Sequence, residues 1–122
     1  MCKILLSINP THVENIFNGT KEYEFRKVRC KGAVNKIIIY STAPVMKVVG
    51  EAKVQEILED TPDAIWAKTR KKSGIKREFF QAYYKGKDKA IAYKLEDVIK
   101  YQSPRELSFF GIHSAPQSFV YL

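Results

Sequence analysis

Cysteine is scarce in this chain. Cys2 and Cys30 are the two present, and they form no motif. Two thiols with no secretory leader are expected in a reducing cytoplasm. Histidine is equally sparse: His12 and His113 stand apart, so no Cys/His set has metal spacing, and neither metal nor cofactor is expected. A lone histidine is read as structural. Long apolar runs are missing too. Ile4 to Ile8 is far too short for a signal-peptide core. No segment approaches the ~20 apolar residues of a membrane span, so no membrane partner is expected. Linkers, internal repeats and low-complexity tracts are absent, which leaves one domain over residues 1–122.

Acids are outnumbered. Asp and Glu total 13 against 21 Lys and Arg, for a formal net charge of +8 and a pI near 9.5. That excess favours nucleic acid, phosphates or other anions as partners, though it serves solubility equally well. A hydrophobic fraction of 45%, with 12% aromatics, suffices for one modest core.

Lys3 to Ile8 reads as a buried strand dense in strand formers. Asn9 and Pro10 mark a helix start, and Val13, Ile16 and Phe17 recur at helical spacing until Gly19 closes the helix. A strand to about Lys27 follows. Arg26, Lys27, Arg29, Lys31 and Lys36 form a basic stretch read as a loop. Lys36 to Ser41, containing Ile37-Ile38-Ile39-Tyr40, reads as a strand buried on both faces. Met46 to Leu58 is a long strand with a bulge or bend at Gly50. Thr61-Pro62-Asp63 starts a second helix ending in Lys68, Arg70, Lys71 and Lys72, where cations suit the dipole. Ile75 to Tyr84 reads as a third helix whose Phe79, Phe80, Tyr83 and Tyr84 are expected in the core. Ala90 to Leu95 is a strand continuing irregularly to Tyr101, and Ser103-Pro104 begins a loop. Phe109 to Ile112 anchors that loop, and Phe119 to Leu122 is a short last strand. The fold class is therefore α+β: a small mixed or antiparallel β-barrel with flanking helices.

The stretch Gly19-Thr20-Lys21-Glu22-Tyr23-Glu24-Phe25-Arg26 organises the candidate site. Strand alternation puts Glu24 and Arg26 on one face and Tyr23 and Phe25 on the other. Lys21 sits in the turn, with a stem free to swing to either side. The bland alternative is a solvated edge strand with ordinary surface pairs.

In its form G-x-K-x-x-E-x-R this stretch resembles the signature of the ASCH domain family, a branch of the PUA-like superfamily. Leu5-Leu6-Ser7-Ile8-Asn9-Pro10, Ile16-Phe17-Asn18-Gly19, Ile39-Tyr40-Ser41-Thr42-Ala43-Pro44 and Pro116-Gln117-Ser118-Phe119 are similar to further family segments in the same order. The resemblance implies a PUA-like barrel with a cleft facing RNA or a nucleoside or nucleotide ligand. Lys21, Glu24 and Arg26 match its signature positions. Lys21 suits a phosphate as a point charge. Glu24 suits an exocyclic amine such as cytosine N4. Arg26 would hold Glu24 ionised and oriented. Ser41, Thr42, Gln117 and Ser118 supply hydroxyls and an amide to the same cleft, or else cap strand ends and turns.

The rival class is an enzyme. The resemblance includes amidohydrolases of acetylated cytidine and proposed ribonucleases. In the amidohydrolase pattern a threonine stands where Glu24 stands here. A carboxylate there would stabilise charged Lys21 and blunt it as a base or nucleophile. A hydrolase would also want a second acid, with Glu56, Glu59 and Asp60 as candidates, and a ribonuclease would pair Lys21 with Glu24 as acid and base. Binding ranks first, hydrolysis second, and an accessory or regulatory role has no residue pattern of its own.

Overall fold

The structure is a computed structural model that describes residues 2–122, except the side chain of Cys2, so the expectation for that thiol lies outside the described residues. Six strands form one curled sheet: β1 (Cys2–Ile8), β2 (Tyr23–Arg26), β3 (Val34–Ser41), β4 (Lys47–Asp60), β5 (Ala90–Arg105) and β6 (Phe119–Tyr121). Their order is β2-β5-β4-β3-β1-β6. β1 and β3 run parallel, joined through helix α1 (Pro10–Phe17), and every other pairing is antiparallel. The expected barrel is thus a half-barrel, with β2 and β6 as its unpaired outer edges.

The run Ile37 to Tyr40 lies inside the sheet, as its composition dictates. Its alternate residues feed two cores. Ile37 and Ile39 join Ile4, Leu6, Ile8, Val13 and Ile16 beneath α1. Ile38 and Tyr40 join Leu5 and Val48 on the other face, covered by Leu107, Phe110 and Ile112. The expected anchor is therefore Phe110 and Ile112, while Phe109 stays exposed beside Arg105. A third core holds Tyr23, Phe25, Ile65, Phe80 and Tyr84 between β2 and helices α2 (Pro62–Thr69) and α3 (Arg77–Tyr83). A 3₁₀ turn, Arg70–Lys72, follows α2 directly.

Two expectations need correction. β5 runs through Ser103 and Pro104 to Arg105 instead of ending before them. β2 pairs with β5 no further than Lys94, so one edge of the remaining strand is free and a proline costs no ladder bond there. The aromatics of α3 also divide. Phe80 and Tyr84 are buried, whereas Phe79 is 51% exposed. The expected break at Gly50 does occur, as one of three register shifts between β4 and β5. Such bulges add the twist that curls the sheet.

Candidate functional site

β2 is short, and its two faces have different destinies. Tyr23 and Phe25 go down into the helical core, while Glu24 and Arg26 turn toward a small pocket of about 160 Å³. Ser7, Asn9, His12 and Lys21 line that pocket from α1 and the strand ends. Phe79, Tyr83 and Ile75 close it from α3 and the loop before it.

Glu24 and Arg26 form a buried ion pair, their side chains 7% and 12% exposed. Glu24 Oε2 accepts from Arg26 Nη2 at 2.8 Å and from Nε at 3.2 Å. Arg26 Nη2 also donates to Ser7 O at 2.8 Å, and Nη1 to Ser118 Oγ at 3.3 Å. One guanidinium therefore orients the acid and spans from β2 to β1 and the start of β6. Among the described residues both of these bonds go to Oε2, and no side-chain donor is bonded to Oε1.

Lys21 does not swing freely. It is 2% exposed, and its Nζ donates to Ser73 O at 2.9 Å while sitting 4.7 Å from the Phe25 ring centroid. Its backbone N–H donates to Asn15 O at 3.0 Å. Gly74 packs so closely that a Cβ built there would lie 2.3 Å from Lys21 Cβ. Burial pulls the Lys21 pKa below its ordinary value, and Arg26 adds to this, while Glu24 opposes it. Burial therefore outweighs the stabilising carboxylate that the residue pattern suggested would dominate.

His12 is the site residue that reading the sequence missed. Asn9 caps α1 by accepting from Thr11 N–H at 2.8 Å, and Pro10 fills the first turn. That start puts His12 four residues before buried Ile16 and so on the inward side of the helix. The spacing was visible, but His12 was read as isolated because its partners come from β2 and α3. Its ring meets Phe79 edge-on at 5.4 Å. Its Nδ1 is buried and has no hydrogen-bond partner among the described residues. Burial first, then Lys21, lowers its pKa, so the ring is neutral at neutral pH. Phe79 and Tyr83 stack with ring planes 7° apart, and the Tyr83 hydroxyl donates to Phe25 O at 3.4 Å.

The remaining candidates disperse. Ser118 reaches the site through Arg26. Ser41 ends β3 and does not line the pocket. Thr42 organises the next turn: its N–H donates to Ile8 O and its carbonyl accepts from Val45 N–H. Gln117 is exposed and outside the pocket. The candidate second acids also lie outside it. Glu59 pairs with Arg29 and Lys89, Asp60 pairs with Lys68, and Glu56 is exposed on β4. Glu24 is the one carboxylate lining the pocket. Among the described residues no three His, Cys, Asp or Glu side chains cluster as a metal site needs, and no helix is long and apolar enough to cross a membrane.

In chemical terms the pocket offers an aimed acceptor at Glu24, donors at Lys21, an unmatched nitrogen at His12 and aromatic rings on one wall. Comparison with known proteins bears on the family and the fold. Residues 4–112 match the family described as Domain of unknown function (DUF365). Large ribosomal subunit protein uL22 of Ureaplasma parvum serovar 3 is 33% identical over 120 residues, 98% of this chain and 39% of that protein. The chain thus spans well under half of the curated relative's length. An ASCH domain-containing ribonuclease of Zymomonas mobilis is 28% identical over 94 residues, 76% of this chain and 64% of that protein. The crystal structure of ASCH from Zymomonas mobilis superposes with a TM-score of 0.89 at 26% identity, covering 98% of this chain and 87% of that one. The α+β fold class and the family resemblance expected from the signature are both borne out, with the barrel open as a half-barrel.

Proposed function

The chain belongs to the DUF365 family and is built as an ASCH domain, and on that premise we propose that it binds RNA by seating one nucleoside in the pocket beside Lys21, Glu24 and Arg26. The observation that carries this reading is His12 Nδ1. A buried polar atom without a partner costs about 1–3 kcal/mol, and a ligand that bonds to it recovers that cost. Glu24, oriented by Arg26, accepts from an exocyclic amine through its second oxygen. Lys21 has N–H groups beyond the one given to Ser73, and these donate to a ring carbonyl or a phosphate. Phe79 and Tyr83 supply the ring faces on which a base stacks.

A second reading has one observation in its favour. A lysine whose pKa is lowered by burial is the form that acts as base or nucleophile, so hydrolysis of acetylated cytidine or of RNA stays open. The Zymomonas relative's name as a ribonuclease supports keeping it.

Calorimetry with nucleosides and short RNAs, beside turnover of acetylcytidine and RNA, separates the two. Lys21→Met keeps the apolar stem and removes the charge. Loss of a charge-assisted contact of about 1.5–3 kcal/mol should weaken nucleoside binding roughly 10- to 150-fold. Absence of nucleoside binding by the unmodified protein would refute the pocket reading. Turnover lost in Lys21→Met would make the protein an enzyme. Glu24→Thr, which restores the hydroxyl of the amidohydrolase pattern, should leave acetylcytidine intact if binding is the function.

A further inference from the structure

The described residues carry eight ion pairs, and in the basic segment after Ile65 the pairing is selective. Lys68 pairs with Asp60, and Lys72 with Glu22. Arg70, Lys71 and Arg77 pair with nothing among the described residues, and their side chains make no hydrogen bonds. All three are exposed, and all three line an open groove of about 650 Å³ between α2 and α3. The floor of the groove is aromatic, with Trp66 packed on Phe80 at 4.9 Å. Asp63 is its one acid.

Three uncompensated cations facing one concavity repel one another, and the fold offers them no return. The C-terminal dipole of α2 accounts for Arg70 and Lys71. It cannot account for Arg77, which opens α3, where a cation runs against the dipole. We propose that this groove is a track for the phosphate backbone of single-stranded RNA, with Arg70, Lys71 and Arg77 meeting phosphates and the Trp66 edge flanking a base. Cationic grooves lined with aromatics hold single strands in this way. The track lies on a different flank of α3 from the nucleoside pocket, which presents Phe79 and Tyr83. A helix body is about 10 Å across, so a strand must pass over α3 to use both, and a lone nucleoside cannot. The inference rests on RNA being the ligand, but not on the pocket.

The test is the salt dependence of binding for a fluorescent single-stranded RNA of about ten nucleotides. Each phosphate contact to a single strand contributes about 0.7 to the slope of log K against log salt. Arg70→Gln/Arg77→Gln should lower the slope by about 1.4, and nucleoside affinity measured by calorimetry should not move. Lys31→Gln/Lys85→Gln removes the same charge from exposed sites elsewhere and should leave most of the slope intact. All four side chains are exposed, and circular dichroism checks that both variants fold. Equal losses in the two double variants would overturn the track in favour of a diffuse field. So would polyglutamate binding as tightly as RNA and depending on the same arginines, since the groove would then take an acidic protein. If nucleosides fail to bind but the slope falls as stated, the pocket reading fails and the track stands.

Discussion

Gly74→Ala is the sharpest probe of the site, because Gly74 packs directly against the Lys21 side chain. Its φ is +69°, a left-handed conformation that costs a residue with a Cβ about 1–2 kcal/mol. The new methyl would also lie 2.3 Å from Lys21 Cβ, 2.7 Å from Cγ and 3.0 Å from Cα. Lys21 cannot simply step back, because its N–H is bonded to Asn15 O and the next N–H, from Glu22, to Lys72 O at 2.8 Å. Overpacking of this kind costs about 1–3 kcal/mol. The total is about 2–5 kcal/mol, or roughly 4 °C in Tm for each kcal/mol in a domain of this size. Gly86→Ala is the control. Its φ is +77°, yet nothing lies within 4 Å of the built Cβ, so only the backbone cost of about 1–2 kcal/mol applies. Urea unfolding of the two variants measures the difference, and calorimetry shows whether nucleoside affinity falls in Gly74→Ala alone. Equal unfolding midpoints and equal affinities would refute the claim that Gly74 holds Lys21 in place.

Lys21→Met should weaken ligand binding as stated while changing stability by less than about 1.5 kcal/mol, since the lost bond to Ser73 O is offset by relief of the buried charge. Lys21→Ala would leave a void at a buried position, so its Tm cannot isolate the charge. Arg26→Ala strands the Glu24 carboxylate and should cost about 3–5 kcal/mol, whereas Glu24→Gln/Arg26→Met should recover part of that loss; denaturant titration decides, and no recovery would mean that Arg26 acts through its bonds to Ser7 and Ser118 alone. His12 titrates below 6.5 in the fold, so on acidification through 6.5 the unfolded chain takes up its proton first and stability falls as pH drops toward the folded value. In His12→Phe that acid-side loss should shrink, as read from urea midpoints at about pH 7.5 and 5.5, and an unchanged loss would place the titration elsewhere.

What the residues made legible was local. Period-two alternation put Glu24 and Arg26 on one face of β2, and proline beside a capping side chain marked α1 and α2. Ile37 to Tyr40 was readable as a two-faced strand because both parities are apolar. What stayed hidden was set by distant partners. The burial of Lys21 depends on Ser73 and Gly74, more than fifty positions away, and no window around residue 21 contains them. His12 and Phe79 become neighbours only when α1 and α3 meet. The exposure of Phe79 could not be read from spacing, because a seven-residue helix with three aromatics, followed at once by Tyr84, has more apolar residues than one buried face can take. Ser41 and Thr42 were drawn toward the site by the family resemblance, and the chain spends Ser41 on the end of β3 and Thr42 on the turn that follows.

The half-barrel behaves as a split ring with a side chain for its clasp. In a closed barrel, strand number and stagger fix the circumference, so the bore cannot change without breaking a ladder. Here no ladder joins β2 to β1 or β6, and Arg26 bridges the gap through Ser7 and Ser118. Those two contacts can be removed without breaking any strand pairing, which is not true of a closed barrel. The residue that orients the Glu24 carboxylate is also the one that spans the gap in the ring.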